Sequence, residues 1–210
     1  MDPVLLIFAG LAVFIIFRLI SVLGTRTGHE QRPEGLQSAA RRSEARSETS
    51  KPAELSKTPG PVSASAEPLR TVDPAFDEKA FLHGARVAYE MIVEAYAAGD
   101  LKSIRRFLGQ PVYEAFKAAV ADRESRGLTS ELKFVGIDSA SIMNSSVEGD
   151  MMTAVVDFAS NQVRVTRDKD GNVVDGDAAR IDLVKDSWTF SKKTSSSDPN
   201  WILVATGGAS

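Results

Sequence analysis

Asp168, Asp170 and Asn172 alternate along "DKDGNVVDGD", and alternating oxygen ligands are how a calcium loop begins. An EF-hand counted from Asp168 needs glycine at its sixth position and glutamate at its twelfth, where this chain has Val173 and Ala179. The segment reads instead as a hairpin turn built on Asp-Gly and Gly-Asp. Acid–base chemistry has its own candidates: His83, Tyr89 and Tyr96 in a stretch of helical period, and Asp157 and Asp182 in stretches of strand period. With Ala154, Val156, Phe158 and Ser160 directed inward, the period of two turns Asp157 outward, and Asp182 is expected to alternate with Ile181 and Leu183 in the same way. Neither carboxylate is then placed to abstract a proton. The chain has no cysteine, which removes thiol nucleophiles, disulfides and zinc–thiolate sites, and its two histidines, His29 and His83, lie far apart. No enzyme activity, metal or cofactor is expected.

The elements that position these residues begin at "VDPAFDEKAFLHGARVAYEMIVEAYAAGD". Asp73 is read as the N-cap with Pro74 at the first helical position, and Gly99 as the stop. Phe81, Ala85, Ala88, Tyr89, Ile92, Val93 and Tyr96 recur at spacings of three and four, which gives a long helix one apolar face. A two-turn helix follows from Asp100 to Gly109, and a third runs from Pro111 towards Gly127. From Leu132 the period falls to two in "LKFVGIDSASIM", "MMTAVVDFASNQVRVTR", "ARIDLVKDSWTFSKK" and "NWILVATG", separated by "NSSVEGD", "DKDGNVVDGD" and "TSSSDPN". Three helices followed by four strands on short connections predict an α+β fold, with the helices packed on one face of a curved antiparallel sheet.

The first 72 residues read differently. "VLLIFAGLAVFIIFRLISVLG" starts at Val4, holds one charge, Arg18, and is long enough at about 1.5 Å per residue to cross a hydrocarbon core of about 30 Å. It lacks a basic start and a small-x-small cleavage site, so it is read as an uncleaved transmembrane anchor over residues 1–25. Arg18 and Arg26 flank it on the C-terminal side, and positive-inside bias sets the N-terminus outside and the remainder cytoplasmic. Residues 26–72 are rich in Ser, Pro, Glu, Arg and Ala with no apolar period, and are expected to form a disordered polar linker reaching roughly 35–40 Å. Residues 73–210 form the folded domain. They carry 16 Lys and Arg against 21 Asp and Glu, a balance that argues against nucleic acid as a partner.

Taken in order, "GDLKSIRRFL", "VYEAFKAAVADRESRG", "AVVDFASNQ", the "DKDGNVVDGD" hairpin, "DSWTF" and "NWILVATG" resemble the C-terminal domain of subunit 44 of the mitochondrial inner-membrane import translocase and its alphaproteobacterial relatives called TimA. The resemblance covers about residues 73–207. It implies the cone-like fold of nuclear transport factor two, with an open apolar pocket for which Phe81, Tyr89, Tyr96, Phe158, Trp188 and Trp201 are the candidate lining. It also implies an adaptor role. The expectation is a single-pass protein of a bacterial inner membrane that holds a polypeptide- or chaperone-binding domain at the cytoplasmic face, in protein translocation or membrane-protein biogenesis. Its implied partners are membrane lipid through the N-terminal helix, a DnaK-class chaperone, and unfolded or membrane-protein clients. Two alternatives are a lipid or apolar-ligand binding module and a cone-fold lyase or isomerase.

Overall fold

The computed structural model describes residues 62–209. The anchor expected over residues 1–25, with Arg18 and Arg26, lies outside the described residues, as does the linker up to residue 61. Among the described residues no helix is long and apolar enough to cross a membrane.

The folded part starts earlier than the sequence predicts. A 3-10 turn at Ala64–Ala66 leads into α1 (Glu67–Val72), where a disordered linker is expected. Its two apolar anchors explain the difference: Ala66 and Leu69 are fully buried, and the Ser145 hydroxyl donates to the Ser65 carbonyl, so tertiary contact supplies what so short a helix lacks on its own. The described residues therefore hold four α-helices. The long helix, α2 (Glu78–Ala98), is capped by Asp77, whose Oδ1 accepts from the Lys79 and Ala80 amides at 2.9 and 3.1 Å. Asp73 does not cap it. Its carboxylate accepts from Ala75 N, and its carbonyl from Phe76 N, closing the turn between α1 and α2. Asp77→Ala is expected to cost about 1 kcal/mol, read as a lower urea midpoint at unchanged slope. At the other end Gly99 adopts φ 78°, and its amide returns to the Ala95 and Tyr96 carbonyls, a conformation that glycine adopts without a Cβ clash.

Asp100 caps α3 (Leu101–Ile104), which continues as a 3-10 turn over Arg105–Phe107. α4 (Gln110–Ser125) follows with proline in its first turn. The strands are β1 (Thr129–Glu148), β2 (Met151–Arg167), β3 (Val173–Gly176), β4 (Asp182–Lys193) and β5 (Ile202–Gly208). They form one antiparallel sheet in the order β1-β2-β4-β5, with β3 pairing β2 beyond the start of β4. β3 is the strand that the hairpin reading of "DKDGNVVDGD" does not include. "NSSVEGD" is mostly strand as well, since β1 runs on to Glu148 and only Gly149 and Asp150 turn. β1 shifts register against β2 between Phe134 and Gly136, between Ile137 and Ser139, and between Ile142 and Asn144. Such bulges bend and twist a strand, and they curve the long β1–β2 pair.

The helix-covered face of the sheet holds the core. Along β2 the even positions Met152, Ala154, Val156, Phe158, Ser160 and Gln162 are buried, and in β4 so are Val184, Trp188 and Phe190. Phe81, Ala85, Tyr89 and Ile92 of α2 pack onto them, so helical and strand periods meet along one apolar seam.

Candidate functional site

The period of two that buries Trp188 and Phe190 also brings Asp186 to the helix-covered face, where it lies opposite Phe158 in the register of β2 and β4. Ser160 and Gln162 come to that face from β2, and Tyr89 reaches down from α2. The Tyr89 hydroxyl donates to Asp186 Oδ2 at 2.6 Å and lies 2.9 Å from Ser160 Oγ; Gln162 Nε2 donates to Tyr89 Oη at 3.1 Å and to Ser160 Oγ at 2.9 Å. Tyr89, Ser160 and Gln162 are at most 2% exposed. These side chains form a hydrogen-bonded polar quartet inside an otherwise apolar contact, as burial of polar groups requires. The phenol pKa is pushed well above its ordinary value, chiefly by burial and then by the neighbouring Asp186 carboxylate, so Tyr89 stays neutral and donates.

Rings surround the quartet. Tyr89 stacks on Phe158 at 4.5 Å between centroids and meets Trp188 at 4.6 Å; Phe158 meets Trp188 and Phe190; and Phe190 leads to Phe81, which packs on Trp201 at 4.8 Å. Five of the six residues named as pocket lining, Phe81, Tyr89, Phe158, Trp188 and Trp201, are thus joined in one aromatic network. Trp201 is half-buried at its end, against Phe76 and Phe81. Tyr96 is placed elsewhere: it packs on Phe116 of α4 at 4.6 Å, with the Arg123 guanidinium 5.9 Å from its ring.

The acid–base candidates are sorted by the same register. Asp157 faces away from α2, as its alternation with buried Val156 and Phe158 requires. Asp182 does not follow the expected pattern. Ile181 and Leu183 are each 58% exposed, and Asp182 pairs with Gln162 and shares the parity of buried Val184 and Trp188, so it lies on the inner side at the sheet's end, bridged to Arg180 at 2.8 Å. His83 is exposed on the flank of α2. In the acidic hairpin, Asp168 takes the amides of Asp170 and Asn172 on Oδ1 and the Asn172 side chain on Oδ2. These bonds, that from the Asn172 side chain foremost, hold its pKa below the usual carboxylate value. Its oxygens close a turn. Among the described residues no cluster of three or more His, Asp or Glu side chains has metal-site geometry.

A model of a known family, the Tim44-like domain, matches the chain over residues 62–208. The chain belongs to the Tim44-like family. The match begins at the residue where the described fold begins, ahead of α1. Among curated proteins, the mitochondrial import inner membrane translocase subunit TIM44-1 of Arabidopsis thaliana is 21% identical over 122 residues, which is 58% of this chain and 26% of that protein. The chain thus spans about a quarter of the length of that relative. Among solved structures, the intermembrane space region of the chloroplast protein ARC6 aligns over 71% of this chain and 100% of its own, at 10% identity and a TM-score of 0.40. Asp186 and Gln162 are the members of the site that sequence reasoning misses, and Ser160 it directs inward without giving it a role. The signal was present: Asp186 stands two residues before Trp188 and four before Phe190, which places a carboxylate on the buried face of that strand.

Proposed function

We propose that this Tim44-like protein is a non-enzymatic adaptor in protein translocation or membrane-protein biogenesis. It holds a polypeptide- or chaperone-binding domain at the cytoplasmic face of a bacterial inner membrane. The family match over residues 62–208 carries the reading, together with the similarity to a plant protein named as an import translocase subunit. The apolar run from Val4, with Arg18 in its second half and Arg26 after it, supports a single-pass anchor with the domain inside, and a tether raises the local concentration of whatever the domain binds near the membrane. The absence of a catalytic role is favoured by the quartet itself. The Tyr89 and Ser160 hydroxyls and the Gln162 amide nitrogen are bonded to one another, and Tyr89 also to Asp186, within a surround of aromatic rings, whereas a general acid or base must reach a substrate proton.

The reading is tested by titrating the full 210-residue chain, reconstituted in phospholipid nanodiscs, with a reduced and alkylated polypeptide that cannot fold, with and without a purified DnaK-class chaperone. Saturable binding of either partner is the expected result. A chain that binds neither overturns the adaptor reading, and phospholipid recovered in stoichiometric amount inside the folded domain would favour a lipid or apolar-ligand module instead.

A further inference from the structure

A groove of about 300 Å³ lies where β2 begins, β4 ends and β5 begins, lined by Met151, Ser191, Ile202 and Val204, with Lys193 and Asp198 at its rim. Met151 pairs with Lys193, and Ser191 with Ile202, so the floor crosses three strands. Met151 alternates with buried Met152 and is 36% exposed, which places the floor on the side of the sheet away from the helices. The rim carries both signs, since Asp198 is a carboxylate and the Lys193 ammonium lies 4.0 Å from Asp150. It selects no charged partner. The floor asks only for an aliphatic side chain, to which methionine adapts without one fixed shape.

The described chain begins close to this groove. Ser63 N donates to Glu78 Oε2, and the Ser65 carbonyl accepts from Ser145 Oγ. Ser145 pairs with Ala154, and Met151 is three residues along β2 from there, about 10 Å at the rise of a strand. Glu78 stands a turn before Phe81, whose ring packs on Trp201, the neighbour of Ile202. Both routes lead from the first described residues to the groove's end of the sheet. In residues 37–61, ahead of that start, Leu55 is the only Leu, Ile, Val, Met or aromatic residue. Seven positions separate it from Val62, and they extend to about 25 Å at most, enough to round the turn at Gly149 and Asp150 and reach the floor.

We propose that this groove seats the Leu55 side chain of the chain's own N-terminal segment. Proximity decides for this occupant. A groove of this volume is at the small end of ligand sites and takes one or two side chains, too few to hold a free peptide, whereas a segment joined by seven residues is present at an effective concentration in the millimolar range. Seating Leu55 takes residues 55–61 out of the tether. For the anchored chain proposed above, the free part shortens to residues 26–54, its reach falls from roughly 35–40 Å to roughly 30 Å, and the tether leaves the domain from the groove rather than from the start of α1. Docking of Leu55 does not depend on the adaptor reading.

The experiment is NMR of isotope-labelled methionine methyl groups in the full chain, reconstituted in phospholipid nanodiscs. The methionines are Met1, Met91, Met143, Met151 and Met152, so one probe lies in the floor and others lie away from it. Leu55→Ser is expected to shift the Met151 methyl resonance by more than its linewidth while Met91 and Met143 stay in place, which also shows that the fold is kept. Leu36→Ser, at the next large apolar residue towards the N-terminus, should move none of the three. The Met151 resonance of the wild type should not change on dilution. A Met151 methyl that Leu55→Ser leaves unmoved overturns the proposal, as does an equal shift from Leu36→Ser. A Met151 resonance that changes on dilution overturns it too, and gives the groove to a second copy of the chain.

Discussion

Phe158→Ala is expected to remove about 3–5 kcal/mol of stability, the largest loss among the substitutions considered. Phe158 is 1% exposed. It is stacked 4.5 Å from Tyr89, meets Trp188 at 5.8 Å and Phe190 at 6.4 Å, and so joins α2 to the two central strands. Truncation leaves a cavity lined by rings that cannot close in from opposite sides, because each is already fixed by its own neighbours. Against a total stability of about 5–15 kcal/mol for an ordinary domain, the loss is a large share of the whole. The measurement is a urea midpoint at unchanged slope. Val155→Ala is the control: its side chain turns to the other face of the same strand, and about 1 kcal/mol or less is expected. Equal losses at the two positions would contradict the placement of the core on the helix-covered face.

Tyr89→Phe removes a single oxygen and is expected to cost about 1–3 kcal/mol. The ring stays in its stack, so the cost is that of leaving Asp186, Ser160 and Gln162 short of a shared partner in a buried place. A pH signature separates this from simple repacking. The phenol pKa is raised above 10.0 in the folded state, so above pH 10 the unfolded chain gives up a proton that the folded chain keeps. The unfolded state then binds fewer protons than the native one, and stability falls as pH rises. The contribution is whole below pH 10 and lost progressively towards the higher folded value. Wild type should therefore lose stability between pH 10 and 11 more steeply than Tyr89→Phe. Tyr96 adds a smaller slope of the same sign, since burial raises its pKa while Arg123 opposes the rise, and that slope remains in the variant. Parallel curves for the two proteins would contradict a buried, neutral Tyr89.

Much of this arrangement is legible in the residues because local signals and tertiary packing agree. Asp100, Gly99 and Pro111 stand at element ends where their backbone chemistry puts them, and β2 is legible from Met151 to Arg167 because every second side chain from Met152 to Gln162 is buried. Where signals compete, packing decides. "DPAFD" offers two capping aspartates, and Phe76 between them is 6% exposed; burying it turns the chain after α1 and leaves the cap to Asp77. α1 has only Ala66 and Leu69 to mark it, too little for a period, and a helix of six residues has no stability of its own to advertise. The start of β4 was misread for a different reason. Ile181 and Leu183 are apolar, yet the pairing of Asp182 with Gln162 puts them outward, and strand register, set by partners far away in sequence, overrides hydropathy at an exposed end. The same register hides the quartet. Tyr89 and Asp186 are 97 positions apart, and only the pairing of β2 with β4 beneath α2 brings them together.

The account's central claim is that the domain is a polypeptide-binding adaptor at a membrane. The most direct test is in-cell photo-crosslinking from single positions on the domain, with the membrane fraction identified by mass spectrometry. Exposed Val87, Met143 and Val135 sample the general surface, and half-buried Ile202 samples the start of β5. The account predicts crosslinks to unfolded membrane-protein precursors or to a DnaK-class chaperone, concentrated at some of these positions and absent from others. Crosslinks to lipid alone, or to no other polypeptide from any position, would contradict it.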